Sequence, residues 1–307
     1  MVRLILFSFL LTFFSRISPL TAQTIRNEGQ DTLNNPSKLL IPALALAYTA
    51  GMYGLYHAWY KDYDTGSFRL FNDNAEWLQM DKLGHLTTSW YLGLVGYEAF
   101  KLANHPEKRA IWLGGSMGSI FLTGVEIFDG FSEGWGFSIG DAFANFSGSA
   151  LFISQQLIWK SQRISLKYSY AHSPYAQVRP ELLGSGMLSR ALKDYNGQRY
   201  WLSVNPASFF SNDVWIPSFL NIAVGHGASG MLGGHDNIWF INGQLFDYSQ
   251  ITRYRQWYLS FDIDLTKLKT QNKWMRMLLS SFGFIKFPAP AIQYDRMTGF
   301  RFRPLMF

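Results

Sequence analysis

The chain of 307 residues is long enough for one large or two ordinary domains, and it is rich in aromatic residues (17%) and poor in charged ones (16%, against about 25% in typical soluble proteins). This composition favours contact with a membrane. The formal net charge of +6 is mild and fits an anionic membrane surface as easily as a nucleic acid, and we expect a membrane-lipid partner and no nucleic acid. The sequence holds no cysteine, which excludes disulfides, cysteine-ligated zinc and a lipid anchor on cysteine among these residues.

Residues 1–22 predict a cleaved secretory signal. They combine a basic start at Arg3, an apolar run over 4–14 and a small-residue exit at Ala22. The alternative is a first membrane anchor, but the apolar run of about 11 residues is shorter than the ~20 that a span needs. Export across the inner membrane follows in either case.

Four apolar segments follow, at 39–59, 83–103, 110–128 and 139–159, each about 20 residues long and near one bilayer crossing. Polar residues interrupt all four, so they predict either membrane helices or a buried four-helix core in a periplasmic domain. The third segment contains small residues at overlapping four-residue spacing, which lets helix backbones approach closely. These residues are Gly114, Gly115, Gly118 and Ser119.

The distribution of charge argues against the inner membrane. After export, four spans would return the chain to the outer side after the second and fourth segments. Those positions are basic, with Lys101, Lys108, Arg109, Lys160, Arg163 and Lys167. The opposite loops, 61–80 and 129–138, lean acidic, which reverses the positive-inside rule. The sequence therefore predicts helices that do not span the inner membrane, or a location at the outer membrane.

From residue 163 the apolar period changes from helical spacing to alternation, as in 164–170 and 257–265. Such alternation predicts half-buried antiparallel strands, and the turn dipeptides between them, such as Asn242-Gly243, support this. We expect about six strands, fewer than the ~8 of a lone closed membrane barrel. The chain ends at Phe307 after alternating aromatic residues, which resembles the terminal signature of bacterial outer-membrane proteins.

Residues 265–287 predict a basic amphipathic helix. Trp274, Met277, Leu278 and Phe282 would form its apolar side. Two interpretations remain open: the helix binds the membrane interface, or it is an ordinary surface helix packed on the sheet.

Three short polar motifs lie at the ends of the apolar segments, at 81–85 (DKLGH), 126–138 and 141–148. Polar residues are costly in such places, so a structural or chemical reason is expected. Asp81 and His85 share one helix face, and Glu126 and Asp129 lie near the end of the third segment. In an up-and-down bundle these ends meet the start of the fourth segment, which carries Asp141. Connectivity therefore predicts one cluster.

Two chemical interpretations give this cluster an activity. In one it binds a divalent metal that activates water, with His85, Glu126 and Asp129 as ligands. In the other it performs acid–base catalysis without metal, with His85 as the base, Asp81 as its orienting partner and Asp141 as a further catalytic residue.

The third interpretation, which we favour from the sequence, is a structural polar clasp or a binding site. Lys82 would neutralise an acid, and Ser138 and Asn145 would add hydrogen bonds. The sequence contains no nucleophile elbow, P-loop, dinucleotide fingerprint or HExxH motif, so it names no reaction.

The motifs DKLGH at 81–85, the acidic turn 126–136 and SxxDxxxNxxG at 138–148 resemble the YfiM-like family of predicted periplasmic or outer-membrane proteins, and they are distantly similar to VanZ-like membrane proteins. The stretches DYNGQRYWLS at 194–203 and IKFPAP at 285–290 resemble the longer form of this family in Bacteroidota. The resemblance implies an envelope location and no established activity. Some relatives are lipoproteins, and this chain lacks the anchoring cysteine.

Together these observations predict a membrane-associated α+β protein: a signal peptide at 1–22, an apolar four-helix bundle with the polar cluster at 23–160, and an antiparallel β region with the amphipathic helix at 161–307. We expect a non-enzymatic outer-membrane component of the cell envelope that engages lipid or an outer-membrane protein complex. The alternative is a membrane-embedded hydrolase or lipid-modifying enzyme that uses the polar cluster, with a divalent metal as the cofactor to consider.

Overall fold

The computed structural model describes residues 36–61, 63–210 and 215–306. The predicted signal peptide at 1–22 and the terminal Phe307 lie outside these ranges. Within them the chain mixes helix and sheet, with long helices in the first half and most strands in the second. This arrangement agrees with the predicted α+β class.

The apolar segments of the first half form helices. In chain order they are α1 (Pro36–Leu55), α2 (Met80–Leu102), α3 (Glu107–Arg109), α4 (Met117–Phe131) and α5 (Ile139–Trp159). One π-helical turn, Tyr56–Tyr60, extends α1, and another, Ala110–Gly114, follows α3. The four predicted segments therefore all fall on helical structure, although the third is interrupted before α4.

Helix α2 lies between α4 and α5, and small residues allow the close approach. A Cβ atom added at Gly118 of α4 would overlap the backbone of Ser89 in α2, and one added at Gly148 of α5 would overlap the backbone carbonyl of Leu86. Around these contacts, Trp90 and Phe152 form a buried apolar core. The predicted small-residue spacing at Gly118 thus serves helix packing.

Helix α1 lies at the side of this core. Its Leu40 packs with Phe100, Ala103 and Ala110, but only 6% of the apolar window in the helical stretch Lys38–Tyr60 is buried. The predicted four-helix bundle is therefore not confirmed. Within the described ranges, and by length and composition alone, two helical stretches could cross a membrane, Lys38–Tyr60 and Glu107–Phe131, and the window in the second is 33% buried.

Strands and short helices make up the remainder. The strands are β1 (Leu70–Phe71), β2 (Phe137–Ser138), β3 (Ile164–Tyr170), β4 (Gln198–Val204), β5 (Leu220–Ser229), β6 (Ile238–Ile241), β7 (Gln244–Asp247), β8 (Tyr254–Ile263), β9 (Ala289–Asp295) and β10 (Gly299–Met306). The short helices are α6 (Tyr175–Val178), α7 (Pro180–Leu183), α8 (Met187–Lys193) and α9 (Lys273–Phe282).

Six strands form one antiparallel sheet in the order β10-β9-β8-β5-β4-β3. The small strands β1 and β2 pair in parallel next to the start of α5. Strands β6 and β7 form a separate hairpin, in which Asn242 and Gly243 both adopt positive φ, as the sequence predicts for a tight turn.

The six-stranded sheet buries its polar side. Along β8, Gln256, Tyr258, Ser260 and Asp262 are buried, whereas the alternate residues are exposed. Those exposed residues include Trp257, Leu259 and Phe261. Alternation correctly predicts half-buried antiparallel strands, but the buried side is the polar one, which is the reverse of a soluble antiparallel sheet.

A network of lysine and aspartate side chains forms ion pairs and hydrogen bonds on the buried side of the sheet. Lys167 Nζ lies 2.7 Å from Asp262 Oδ2, and both side chains are fully buried. Lys286 Nζ donates to the carbonyls of Phe261 and Phe287 at 2.6 and 2.7 Å. The backbone near Lys286 also pairs with the free edge of β3, through Tyr168. This segment therefore pairs with β3 at the edge of the sheet and encloses the polar side chains of the interior.

The amphipathic helix is shorter than predicted. It occupies Lys273–Phe282 rather than 265–287, because Leu265–Lys267 forms a separate 3-10 turn and Lys286 belongs to the interior of the sheet. Asn272 caps the N-terminus by accepting hydrogen bonds from the backbone N–H groups of Trp274 and Met275.

Candidate functional site

The polar motifs converge at one end of the helical core, in a cluster that we call the polar centre. It contains the side chains of Tyr60, Asp73, Asp81, Lys82, His85, Glu126, Asp129, Ser138, Asp141 and Asn145. The helix starts of α2 and α5 and the end of α4 supply most of them. The predicted meeting of these three helix ends is what the structure shows.

Lys82 organises one half of the polar centre. Its Nζ lies 2.6 Å from Asp73 Oδ1, 3.0 Å from Asp81 Oδ2 and 3.0 Å from Asp141 Oδ1. Ser138 joins this half, because its hydroxyl donates to Asp73 Oδ1 at 2.6 Å and accepts from the backbone N–H of Asp141 at 3.0 Å. The second contact is the N-cap of α5, so the same serine starts the helix and ties it to the charges.

His85 organises the other half. Its Nδ1 lies 3.0 Å from Asn145 Oδ1 and 3.6 Å from Glu126 Oε1, and its Nε2 lies 4.0 Å from Asp141 Oδ1. Glu126 Oε2 accepts a hydrogen bond from the backbone N–H of Ser138 at 3.1 Å. The other oxygen of Glu126 is buried without a hydrogen-bond partner, as is the amide nitrogen of Asn145.

Asp129 stands apart from these contacts. Its Oδ1 accepts a hydrogen bond of 2.7 Å from the hydroxyl of Tyr60, a buried residue in the π-helical turn after α1. Two sets of described residues have ligand atoms within 4.8 Å of one another: His85, Glu126 and Asp141, and Asp73, Asp81 and Asp141. Asp129 is in neither set, because its carboxylate faces Tyr60, and the predicted metal set with Asp129 stays a prediction.

Burial shifts the proton affinities of the acids. Desolvation raises the pKa of Glu126 to about 9, with the charges of Asp141 and Asp129 adding to the effect. Desolvation likewise raises the pKa of Asp129 to about 6 and that of Asp141 to about 6. For Lys82, contact with the carboxylates outweighs burial and raises its pKa, so it stays charged.

A strained turn sets the position of Asp81 and Lys82. The three residues before α2, at 77–79, have positive φ values of 47°, 52° and 62°. The side-chain amide of Gln79 donates to the backbone carbonyl of Asn74 at 2.6 Å. The backbone N–H of Trp77 donates to the backbone carbonyl of Gly234 at 2.8 Å. Residues held in this region without glycine cluster at functional sites in proteins.

Sequence reasoning missed two members of the polar centre. In the sequence, Asp73 lies between two asparagines, which indicates a turn, and Tyr60 lies at the end of an apolar helix. Only tertiary contact shows their roles. His85, Glu126 and Asp141, by contrast, carry a signal in the sequence, since each is a polar residue at the end of an apolar helix.

A cleft of about 390 Å³ lies beside the polar centre. Its lining includes Tyr63, Glu76, Trp135, Arg179 and His235. Trp135 also packs edge-on against Tyr60, with ring centroids 5.6 Å apart, so one aromatic residue is shared by the cleft and the wall of the polar centre.

A second candidate site is the apolar side of the six-stranded sheet, which we call the outward sheet face. Strand register aligns one row across five strands: Leu202, Val224, Leu259, Ile292 and Phe302. All five are exposed. A neighbouring row adds Trp257, Tyr294 and Phe300, which are exposed as well. The next residue of the first row, Leu166 of β3, is buried in the helical core. In the part of the chain that the structure describes, the helices therefore cover this side only at the edge formed by β3.

Helix α9 continues the exposed apolar surface. Trp274, Leu278 and Phe282, spaced four residues apart, form an exposed stripe. The other side of the helix region contacts the core, where the hydroxyl of Tyr91 donates to the carbonyl of Ser281 at 2.5 Å and its ring packs on Phe284. The helix therefore packs on α2 rather than on the sheet, and binding of its apolar stripe to the membrane interface stays a prediction.

Comparison with known proteins gives one match. Residues 68–155 match the family model described as "Predicted periplasmic lipoprotein (DUF2279)". This range is less than a third of the chain, and it contains every residue of the polar centre named above except Tyr60. No curated protein and no solved structure matches the chain.

The match supports a location in the cell envelope. It defines an uncharacterised class of periplasmic proteins, and it does not confirm the finer resemblance to YfiM-like or VanZ-like proteins.

Proposed function

We propose that this chain is a membrane-associated component of the cell envelope that engages lipid through the outward sheet face. The observation that carries the proposal is the reversed sheet, in which the polar side chains are buried and a continuous apolar face is exposed. Sheets with a polar interior and an apolar exterior are those whose outer side contacts hydrocarbon.

The energetic argument rests on the size of the exposed face. Covering a half-exposed leucine or phenylalanine side chain contributes on the order of 1 kcal/mol. The rows through Leu259 and Trp257 contain eight exposed aliphatic or aromatic side chains. An apolar surface of this extent is not left in water by a monomeric soluble protein, so it marks an interaction site.

Lipid is a better occupant of this face than a protein partner, because the neighbouring elements also suit an interface. The exposed stripe of α9 carries Trp274, and Lys273 and Arg276 flank that residue. This combination is typical of interfacial helices on anionic membranes. None of the 307 residues is a cysteine, and the outward sheet face offers attachment that needs no lipid modification.

The outer membrane is the membrane we propose. The basic residues after the second and fourth apolar segments would lie on the wrong side of an inner membrane, and the family match supports an envelope location. Sucrose-gradient fractionation of a two-membrane bacterium tests this. The chain is expected with outer-membrane markers, and its recovery with inner-membrane markers would overturn this part of the proposal.

The lipid contact is tested by fluorescence quenching in vesicles of brominated phospholipid. Trp257 is on the outward sheet face, whereas Trp201 is on the buried side and is 1% exposed. Bromine quenches tryptophan at short range, so Trp257→Phe is expected to remove part of the quenching and Trp201→Phe to leave it unchanged.

Two results would contradict the proposal. One is equal quenching in wild type and Trp257→Phe, with circular dichroism showing that the variant is folded. The other is co-purification of a stoichiometric protein partner that shields Trp257 from bromine, which would favour an outer-membrane protein complex as occupant of the face.

Hydrolysis or lipid modification at the polar centre is the second candidate function. It is favoured by the position of His85, whose side chain is 21% exposed while that of Glu126 is 1% exposed, so the histidine is the accessible member. The test is product release from phospholipid vesicles, measured by mass spectrometry. An enzyme would lose this release in His85→Gln while its melting temperature changes little.

A further inference from the structure

The polar centre holds more negative charge than its own cations balance. Five carboxylates (Asp73, Asp81, Glu126, Asp129 and Asp141) surround one lysine, so with all acids ionised and His85 neutral the sum is 1 − 5 = −4. Uncompensated buried charge is costly, so the centre must take up protons or bind a cation.

The two halves of the polar centre differ in how their negative charge is balanced. In the first half, Asp73, Asp81 and Asp141 could hold a metal by distance, but Lys82 Nζ already lies within 3.0 Å of all three. The ammonium group therefore occupies the cation position among these three acids.

Among the residues that the structure describes, the second half has no such internal cation. Glu126 is 1% exposed, and its Oε1 faces the ring of His85 at 3.6 Å without a hydrogen-bond partner. Buried polar atoms are nearly always paired in proteins, so the orphan carboxylate oxygen of Glu126 indicates a cation that would pair with it.

We propose that His85, Glu126 and Asp141 bind one divalent transition-metal cation, of the zinc or manganese kind. One imidazole and two carboxylates suit such ions, and a set built from oxygen alone would suit magnesium or calcium better. The three ligand atoms lie within 4.8 Å of one another. A tetrahedral ion needs donors about 3.4 Å apart, so small side-chain rotations close the site.

Asn145 acts as a positioning residue in this site. Its Oδ1 accepts a hydrogen bond from His85 Nδ1, which leaves Nε2 as the metal-binding nitrogen on the side of Asp141. Asp141 bridges the two halves, since its Oδ1 also lies near Lys82. The site is independent of the lipid contact proposed above, because none of its residues is on the six-stranded sheet.

Metal content tests this site directly. The full chain, purified in detergent without chelator, is expected to contain about one equivalent of zinc or manganese by plasma mass spectrometry. After chelation, Co²⁺ is the probe, because its visible absorption reports nitrogen and oxygen ligands. His85→Ala and Glu126→Gln are expected to lose the bound metal and the cobalt absorption.

Two further variants separate ligand loss from general damage. Asn145→Ala keeps all three ligands and is expected to weaken metal binding by about 10- to 100-fold. His235→Ala is the matched control, since His235 Nε2 pairs with Glu76 Oε1 at 3.2 Å outside the centre, and it should bind metal as the wild type does. Circular dichroism verifies that each variant is folded.

The proposal is overturned if the wild type neither contains metal nor binds Zn²⁺, Mn²⁺ or Co²⁺ after chelation. Unchanged cobalt absorption in both His85→Ala and Glu126→Gln would overturn it as well. Loss of metal in the His235→Ala control, with the ligand variants unaffected, would place the metal at the cleft instead.

Discussion

Leu259 and Ser260 are consecutive residues of β8, and the leucine is 49% exposed while the serine is 6% exposed. Ser260 Oγ lies 2.9 Å from the carbonyl of Pro290 and accepts a hydrogen bond of 3.3 Å from Lys286 Nζ. The pair shows in two residues how the sheet is built. The serine on the buried side of the sheet has hydrogen-bond partners within the protein. The leucine on the outward sheet face is exposed to the surroundings of the protein.

This pair predicts an unusual pattern of mutational effects. In detergent, Ser260→Leu is expected to lower the free energy of unfolding by about 1–3 kcal/mol, because it strands the groups that the serine contacts. Leu259→Glu is expected to change it by less than about 0.5 kcal/mol, as an exposed substitution does, and to weaken binding to lipid vesicles. Chemical denaturation and flotation measure the two effects. A larger folding cost for Leu259→Glu would mean that the outward sheet face is packed against protein.

The buried pair Lys167–Asp262 is expected to be essential for folding. Lys167→Ala removes one partner of a fully buried ion pair and leaves Asp262 with the more distant Lys286 Nζ at 4.0 Å, at a cost of about 3–5 kcal/mol. The control is Lys101→Ala. Lys101 forms an exposed pair of the same length, 2.7 Å, with Glu107, and its loss should cost about 0–1 kcal/mol. Equal losses of melting temperature in Lys167→Ala and Lys101→Ala would show that the polar interior of the sheet is open to water.

Stability without metal is expected to fall as pH rises. The pKa of Glu126 is raised from 4.5 to about 9 by burial, so the folded chain binds this proton more tightly than the unfolded chain. The free energy of unfolding therefore decreases between about pH 5 and about pH 9. Glu126→Gln cannot titrate and should show a smaller decrease.

Melting temperatures in the presence of chelator measure this pH dependence. Parallel curves for wild type and Glu126→Gln would contradict the assignment to Glu126. Added zinc should weaken or reverse the trend, because the metal competes with protons for the same carboxylate.

Close packing of α2 and α4 is expected to tolerate no side chain at Gly118. Gly118→Ala would force its methyl group against the backbone of Ser89, and overpacking of this kind costs about 1–3 kcal/mol. Gly54→Ala is the control in α1, where an added Cβ meets nothing within 4 Å. It should stabilise the helix by about 0.5–1 kcal/mol. Destabilisation of similar size in both variants would show that the contact with Ser89 is not the cause of the loss.

Much of the local structure follows from the sequence. The four apolar segments became helical stretches, and the switch to alternation near residue 163 became antiparallel strands, because hydrophobic periodicity reports backbone geometry directly. Connectivity also predicts that Asp81, His85, Glu126 and Asp141 meet. Helix ends on one side of an up-and-down bundle are close in space whatever the details of packing.

The membership of the polar centre needed the tertiary structure. Asp73 and Tyr60 enter from a loop and a helix end, and neither has a periodic pattern that would indicate burial. Lys82 contacts three acids rather than one, and one of them, Asp141, also faces His85. Such contacts depend on distances between elements far apart in the chain, which no local pattern encodes.

The sequence by itself determined that the strands have one apolar and one polar side and that costly polar residues sit at helix ends. Only the tertiary structure decided which side of the sheet is buried. Alternation is symmetric under exchange of the two sides, so period alone cannot choose between them. The choice was made by buried partners such as Lys167, Asp262 and Lys286, whose charges satisfy one another inside the curved sheet and leave Leu259 and its neighbours on the outside.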